Sequence, residues 1–144
     1  MPAPLVKMAN AELLVSAFFR ADPDVLAAQG DATFTVLPSG FKDWPATVVT
    51  RVGGTPAFSD PLWIDQPLIQ VSCYGGSKST AYDVAETQRA ALAARDRLPF
   101  TVAGVGRLDC VLRFGGIRDV PDPSWDPARP RWIWEFTCQT RPIG

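Results

Sequence analysis

At 144 residues, with 47% apolar and 20% charged residues, the chain has the size and make-up of one globular domain, and its composition excludes a disordered polymer. A formal net charge of -1 and a pI near 5.3, with no lysine or arginine run, exclude tight non-specific binding of nucleic acid. There is no histidine, which removes the commonest general base, the commonest metal ligand and the usual activator of a nucleophilic serine or cysteine.

Residues 1–10 hold one lysine and no apolar run of signal-peptide length. No stretch reaches the roughly 20 apolar residues of a membrane helix, so a soluble protein with no membrane partner is expected. A first helix is expected over 8–21, where Leu14, Ala17, Phe18 and Ala21 recur at three- and four-residue spacing. Asn10 is a candidate cap for it, and Asp22-Pro23 ends the run. A short turn over 25–28 closes at Gly30, and 33–37 reads as a brief strand. Residues 46–52 are rich in β-branched side chains and predict a strand. A proline- and aspartate-bearing loop, 53–67, follows and carries Trp63 and Asp65.

The strand over 68–74 alternates, with Ile69, Val71 and Cys73 on one side and Gln70 and Ser72 on the other. A second helix is expected over 81–97, with a stripe of Val84, Ala85, Gln88, Leu92 and Arg95. Alanines at 85, 90, 91, 93 and 94 would let it lie close to a sheet, and Pro99 ends it. In 107–114, Leu108, Cys110, Leu112 and Phe114 share one face, and Arg107, Asp109 and Arg113 share the other. In 131–141, Trp132, Trp134, Phe136 and Cys138 point inward, and Arg131, Glu135, Gln139 and Arg141 point outward. The stretch between, 119–130, holds four prolines and reads as too proline-rich for regular structure.

These elements predict a single α/β (α+β) domain over 1–144. Its one mostly antiparallel or mixed sheet has about four strands and two helices, in the order helix-strand-strand-helix-strand-strand. The second helix crosses one face of the sheet, and the loops 53–67 and 119–130 fall at opposite ends of it.

The candidate chemistry is thin. Gly75-Gly-Ser-Lys-Ser-Thr80 sits between a strand and a helix, but a P-loop needs glycine where Ser77 and Ser72 stand. A turn and helix cap is the simpler reading, with Ser79 or Thr80 as the cap. No Gly-x-Ser-x-Gly pattern occurs. Asp22 with Asp24, Asp60 with Asp65, and Asp119 with Asp122 and Asp126 could hold a divalent cation or work as acid and base. All lie in proline-flanked loops, where aspartate also serves as a turn former. Cys73, Cys110 and Cys138 lie in apolar strand-like runs, as reduced buried thiols do in a reducing cytoplasm. No catalytic, cofactor-binding or metal-binding residue is assigned, no cofactor is expected, and the chain is read as not an enzyme.

Pro45-Ala-Thr-Val-Val-Thr-Arg-Val-Gly-Gly54, Asp65, Leu68-Ile-Gln-Val-Ser-Cys-Tyr-Gly75 and Ala81-x-x-Val-Ala-x-x-x-Arg-x-x-Leu92 together resemble the tail terminator (tail-completion) proteins of long-tailed, siphovirus-type phages. The resemblance spans roughly residues 8–141. It implies a virion structural protein, made in the host cytoplasm, whose homohexameric ring caps the tail tube and joins it to the head-tail connector. The implied partners are copies of the chain itself, the tail tube protein and the connector protein, with DNA passing nearby without specific binding. The alternatives are another neck or tail-tube component of related fold, or a small metal-binding enzyme domain using the loop aspartates. Candidate protein-interface residues are Arg51, Trp63, Asp65, Arg113, Trp125 and Arg131, with Trp63 and Trp125 serving either an interface or local loop anchoring.

Overall fold

The computed structural model describes residues 5, 7–57, 63–94, 96–125 and 127–142. Asn10 caps α1 (Ala11–Ala21) by accepting from the Leu13 amide at 3.2 Å. Asp22 ends α1 and begins α2 (Pro23–Gln29), its carboxylate taking the amides of Asp24 and Val25. Proline at the first position of α2 fits because that residue has no helical amide to lose. The strands are β1 (Thr33–Phe34), β2 (Ala46–Pro56), β3 (Asp65–Tyr74), β4 (Phe100–Val102), β5 (Gly106–Phe114), β6 (Arg118–Asp119) and β7 (Arg131–Arg141). Helix α3 (Lys78–Ala93) connects β3 to β4.

The strands form one sheet in the order β1-β2-β3-β7-β5-β4, with β6 pairing the start of β7 beyond the end of β5. Among the described strands only the β1–β2 pair is parallel. Because β3 and β5 both run antiparallel to β7, they are parallel to each other, and α3 is the crossover between them. All three helices contribute to one face. Val15, Phe18, Phe19, Val25, Val84 and Leu92 meet Val49, Ile69, Val71, Leu108, Trp134 and Phe136 in a single buried core. Each such side chain contributes about 1.5–3 kcal/mol by leaving water.

Among the described residues, three helices and seven strands exceed the expected two and about four. Helix α2 extends the expected 25–28 turn to seven residues and β1 lies inside the expected 33–37 strand, whereas β4 and β6, of three and two residues, complete no repeat that periodicity could mark. Residues 53–56 are strand, not loop: β2 continues through a bulge at Val52 to Pro56, opposite Asp65. The segment 119–130 also has ordered pairing, with β6 on β7 and an antiparallel bridge from Asp122 to Arg129. Helix α3 starts at Lys78 because Ser77, not Ser79 or Thr80, is its cap, accepting from the Thr80 amide at 3.2 Å.

The alternation in β5 also departs from expectation. Register shifts at 108–110 and 111–113 turn the strand, so Val111 packs on the core while Leu112 and Phe114 are exposed. Edge strand β2 is covered by β1 only at Thr47 and Val48. Farther along, the Glu12 carboxylate takes the Arg51 amide at 2.8 Å.

A polar knot sits inside the core. Gln88 Nε2 donates to Thr47 Oγ1 at 2.8 Å and to Gln29 Oε1 at 3.2 Å, and Gln88 Oε1 accepts from Cys73 Sγ at 3.0 Å and Trp134 Nε1 at 3.3 Å. Gln29 also donates to Thr33 Oγ1 at 2.7 Å and accepts from the Thr47 hydroxyl. These six residues come from α2, α3, β1, β2, β3 and β7, so one satisfied network ties six elements.

Candidate protein-interface surfaces

The strand register separates two poles. Asp65 pairs with Thr140 at one end of β3, and Tyr74 pairs with Arg131 at the other. The β2–β3 hairpin therefore lies at the pole opposite the 119–130 segment, as the sequence reading expects.

At the hairpin pole, Arg51 grips Asp65 with both arms, Nη1 to Oδ2 at 2.5 Å and Nη2 to Oδ1 at 3.1 Å, while Nε donates to the Gly53 carbonyl at 3.1 Å. The Asp65 side chain is only 2% exposed. Asp65 is the inner half of a bidentate pair that closes the hairpin. Gly54 completes the arrangement. Its φ is +94°, and a Cβ there would lie 2.3 Å from the Gln66 carbonyl oxygen. The arginine-glycine-glycine and aspartate pattern is thus a hairpin-closing device. Trp63 stands 43% exposed beside it and remains available to a partner. Asp60 lies outside the described residues.

At the other pole the proline-bearing segment is stapled down. Asp122 accepts from Tyr74 Oη at 3.0 Å and from Ser124 N and Oγ at 3.0 and 2.7 Å. Arg131 Nε donates to the Val120 carbonyl at 2.9 Å. Trp125 packs edge-on against Trp44, which stacks on Tyr74, and the Arg129 guanidinium lies 4.6 Å over the Trp44 ring. Trp125 and Arg131 are therefore half-buried and help to anchor their own loop. Arg113 is exposed on β5 and makes no ion pair among the described residues.

The other carboxylates raised as candidate chemistry have structural partners. Arg97 bridges Asp22 at 2.8 Å and Asp24 at 2.6 Å, and Lys78 meets Asp119 at 2.9 Å. Asp126 lies outside the described residues. Among the described residues, no group of three or more His, Cys, Asp or Glu side chains is placed to hold a metal ion. No helix among them is long and apolar enough to cross a membrane.

Asp109, missed by the sequence reading as more than an outward charge, is the hub of an ionic cluster. It takes Arg107 Nε and Arg141 Nε at 2.5 Å each and Gln139 Nε2 at 2.9 Å. Burial pulls its carboxyl upward, but the hydrogen bonds from Gln139, Arg141 and Arg107 outweigh that and leave it below the usual range. At Asp122 burial is likewise outweighed, by the bonds from Ser124 and Tyr74. A carboxyl held low stays ionised in the fold while the unfolded chain is already taking up a proton. Its stabilisation is complete above about pH 4 and is lost as pH falls through the folded value. Thermal unfolding at stepped pH should therefore show a steady midpoint down to about pH 4 and a decline below it, and Asp109→Asn should flatten that decline.

Burial pushes the thiols of Cys73 and Cys138 up to about 12, while Cys110 is only half-buried and rises less far, also through burial. A thiol reagent applied to the native chain should label Cys110 first. Cys73 and Cys138 should react only at the rate of unfolding, which timed labelling followed by peptide mass analysis would read.

Among the described residues the fold is a two-layer α+β sandwich with three helices on one face of a seven-stranded mixed sheet. No protein-family model matches the chain, and no curated protein matches it. Among solved structures it is similar to a chain of the virion of a native gene transfer agent (GTA) particle, at 20% sequence identity and a TM-score of 0.56. The match covers 91% of this chain and 94% of that one. At this identity the likeness is one of fold.

Proposed function

We propose that this chain is a virion structural protein acting as a tail terminator in a homohexameric ring, in which one face of each copy meets a different face of its neighbour. The observation that carries the reading is the likeness in fold, over nearly the whole of both chains, to a component of a GTA virion particle. The hairpin built on Arg51, Gly54 and Asp65 supports it, because those residues carry the resemblance to tail terminators. The mechanism is geometric. One ring face matches the last ring of the tail tube protein and stops further addition, and the other docks the head-tail connector protein. The two opposed poles suit such a two-ended part, with Trp63 exposed at one of them. DNA passes nearby without specific binding, in keeping with the small net charge. No catalytic step is part of the role.

Light scattering of the purified chain, with negative-stain imaging of the chain mixed with tail tubes, tests the reading. A hexameric mass and a single ring at the tube's upper end are expected. Many rings along the tube would instead favour a tail-tube component. A chain that stays monomeric at high concentration and in the presence of tubes would overturn the ring.

A further inference from the structure

The sheet face away from the helices carries its charge unevenly. Toward β2 and β3 it presents the uncharged side chains of Thr50, Leu68 and Gln70. Toward β5 and β6 it presents a row of arginines. Arg107 lies opposite Arg141, Arg113 opposite Thr137 and Arg118 opposite Ile133. These positions of β7 alternate with the buried Trp134, Phe136 and Cys138, so the row stands on the side opposite the helix layer. Its steps are four residues apart along β7, roughly 14 Å at about 3.4 Å per residue.

The carboxylates on this side are the inner members of their ion pairs. Asp109 is 10% exposed between Arg107 at 44% and Arg141 at 40%, and Glu135 is 35% exposed against 59% for its partner Arg118. Arg113 is exposed and has no ionic partner among the described residues. Four guanidinium groups thus stand outside two carboxylates, a local positive surplus in a chain whose net charge is -1. Such a surface fits a polyanion better than a folded protein. Protein contacts are built around apolar anchors, and beside the arginines this face offers the half-buried Leu68 alone among the described residues in register with them. Gln70, Thr137 and Gln139 are amide and hydroxyl side chains of the kind that hydrogen-bond to phosphate and sugar oxygens. Contacts of this type carry no sequence information and weaken steeply with salt. Repetition round a ring multiplies a contact that is weak in one copy.

We propose that this arginine row contacts the phosphate backbone of duplex DNA, weakly and without regard to sequence. The inference rests on the ring reading for its setting, since a ring that turns this face inward lines its channel with it. Fluorescence anisotropy of a labelled duplex of random sequence, titrated with the chain at stepped salt, tests it. Binding is expected at about 50 mM salt and should fade by about 200 mM. Arg113→Gln should weaken it at least about threefold and lower the slope of log affinity against log salt by about 0.9, whereas Arg113→Lys should keep both. Arg89→Gln removes the same charge from α3, in the other layer, and should change binding far less. Far-ultraviolet circular dichroism checks that each variant is folded. No binding at low salt, or equal losses from Arg113→Gln and Arg89→Gln, would overturn the site. Polyglutamate that binds in preference to the duplex would overturn the DNA contact in favour of an acidic protein surface. Light scattering decides the ring separately: a ring that ignores the duplex overturns this contact alone, and a monomer that binds it overturns the ring alone.

Discussion

Gly54→Ala should destabilise the chain by about 3 kcal/mol or more, whereas Gly53→Ala, one residue earlier, should leave stability near its starting value. Two costs add at Gly54. Its φ of +94° lies where side-chain-bearing residues are strained, and a new Cβ would press on main chain, 2.3 Å from the Gln66 oxygen and 2.6 Å from Pro67 Cα. Strain of this type costs about 1–3 kcal/mol, and a clash with backbone cannot be relieved by turning a side chain. At Gly53 the nearest atom to a new Cβ would be Leu68 Cδ2 at 3.7 Å, an ordinary contact. Urea unfolding of the two variants reads the difference directly. Equal midpoints would remove the physical account given for the arginine-glycine-glycine pattern.

Gln88→Leu should cost a further class of stability, about 3–5 kcal/mol out of the roughly 5–15 kcal/mol that holds a domain of this kind together. Leucine is of similar bulk and leaves no large cavity, so the loss is chemical. The Trp134 indole N–H and the Cys73 thiol lose their acceptor, and Gln29 Oε1 and Thr47 Oγ1 lose a donor. These groups are buried, so water cannot replace the missing partner without opening the core. Denaturant unfolding followed by tryptophan emission measures the loss. A Gln88→Leu chain as stable as the original would mean that apolar packing, not the polar knot, holds the helix layer to the sheet.

The long elements were legible in the sequence because they repeat. Asn10 as a cap, α1, the inward row Ile69, Val71 and Cys73, and the row Trp134, Phe136 and Cys138 all stand where periodicity puts them. Helical spacing places Gln88 in one stripe with Val84, Ala85, Leu92 and Arg95. A glutamine in such a stripe signals a buried hydrogen-bonding role, but its partners Gln29, Thr33 and Thr47 are set by tertiary packing. The bulges in β5 were illegible, since an extra residue looks the same as a continued alternation until the partner strand is known. Of the candidate interface residues, Trp63 and Arg113 stand exposed, and Asp65, Trp125 and Arg131 are drawn into the fold. Sequence alone cannot separate these groups, because an aspartate or tryptophan between prolines suits a loop anchor as well as a contact.

The capped edge of β2 bears on what happens when the chain is abundant and its partners are scarce. An unpaired strand edge is a template for fibre growth. Here the Arg51 amide is already taken by Glu12, the bulge at Val52 breaks the regular ladder, and Pro56 has no amide to offer. The edge therefore resists indiscriminate strand addition, and concentrated chains are directed away from amyloid-like stacking and toward contacts made by side chains.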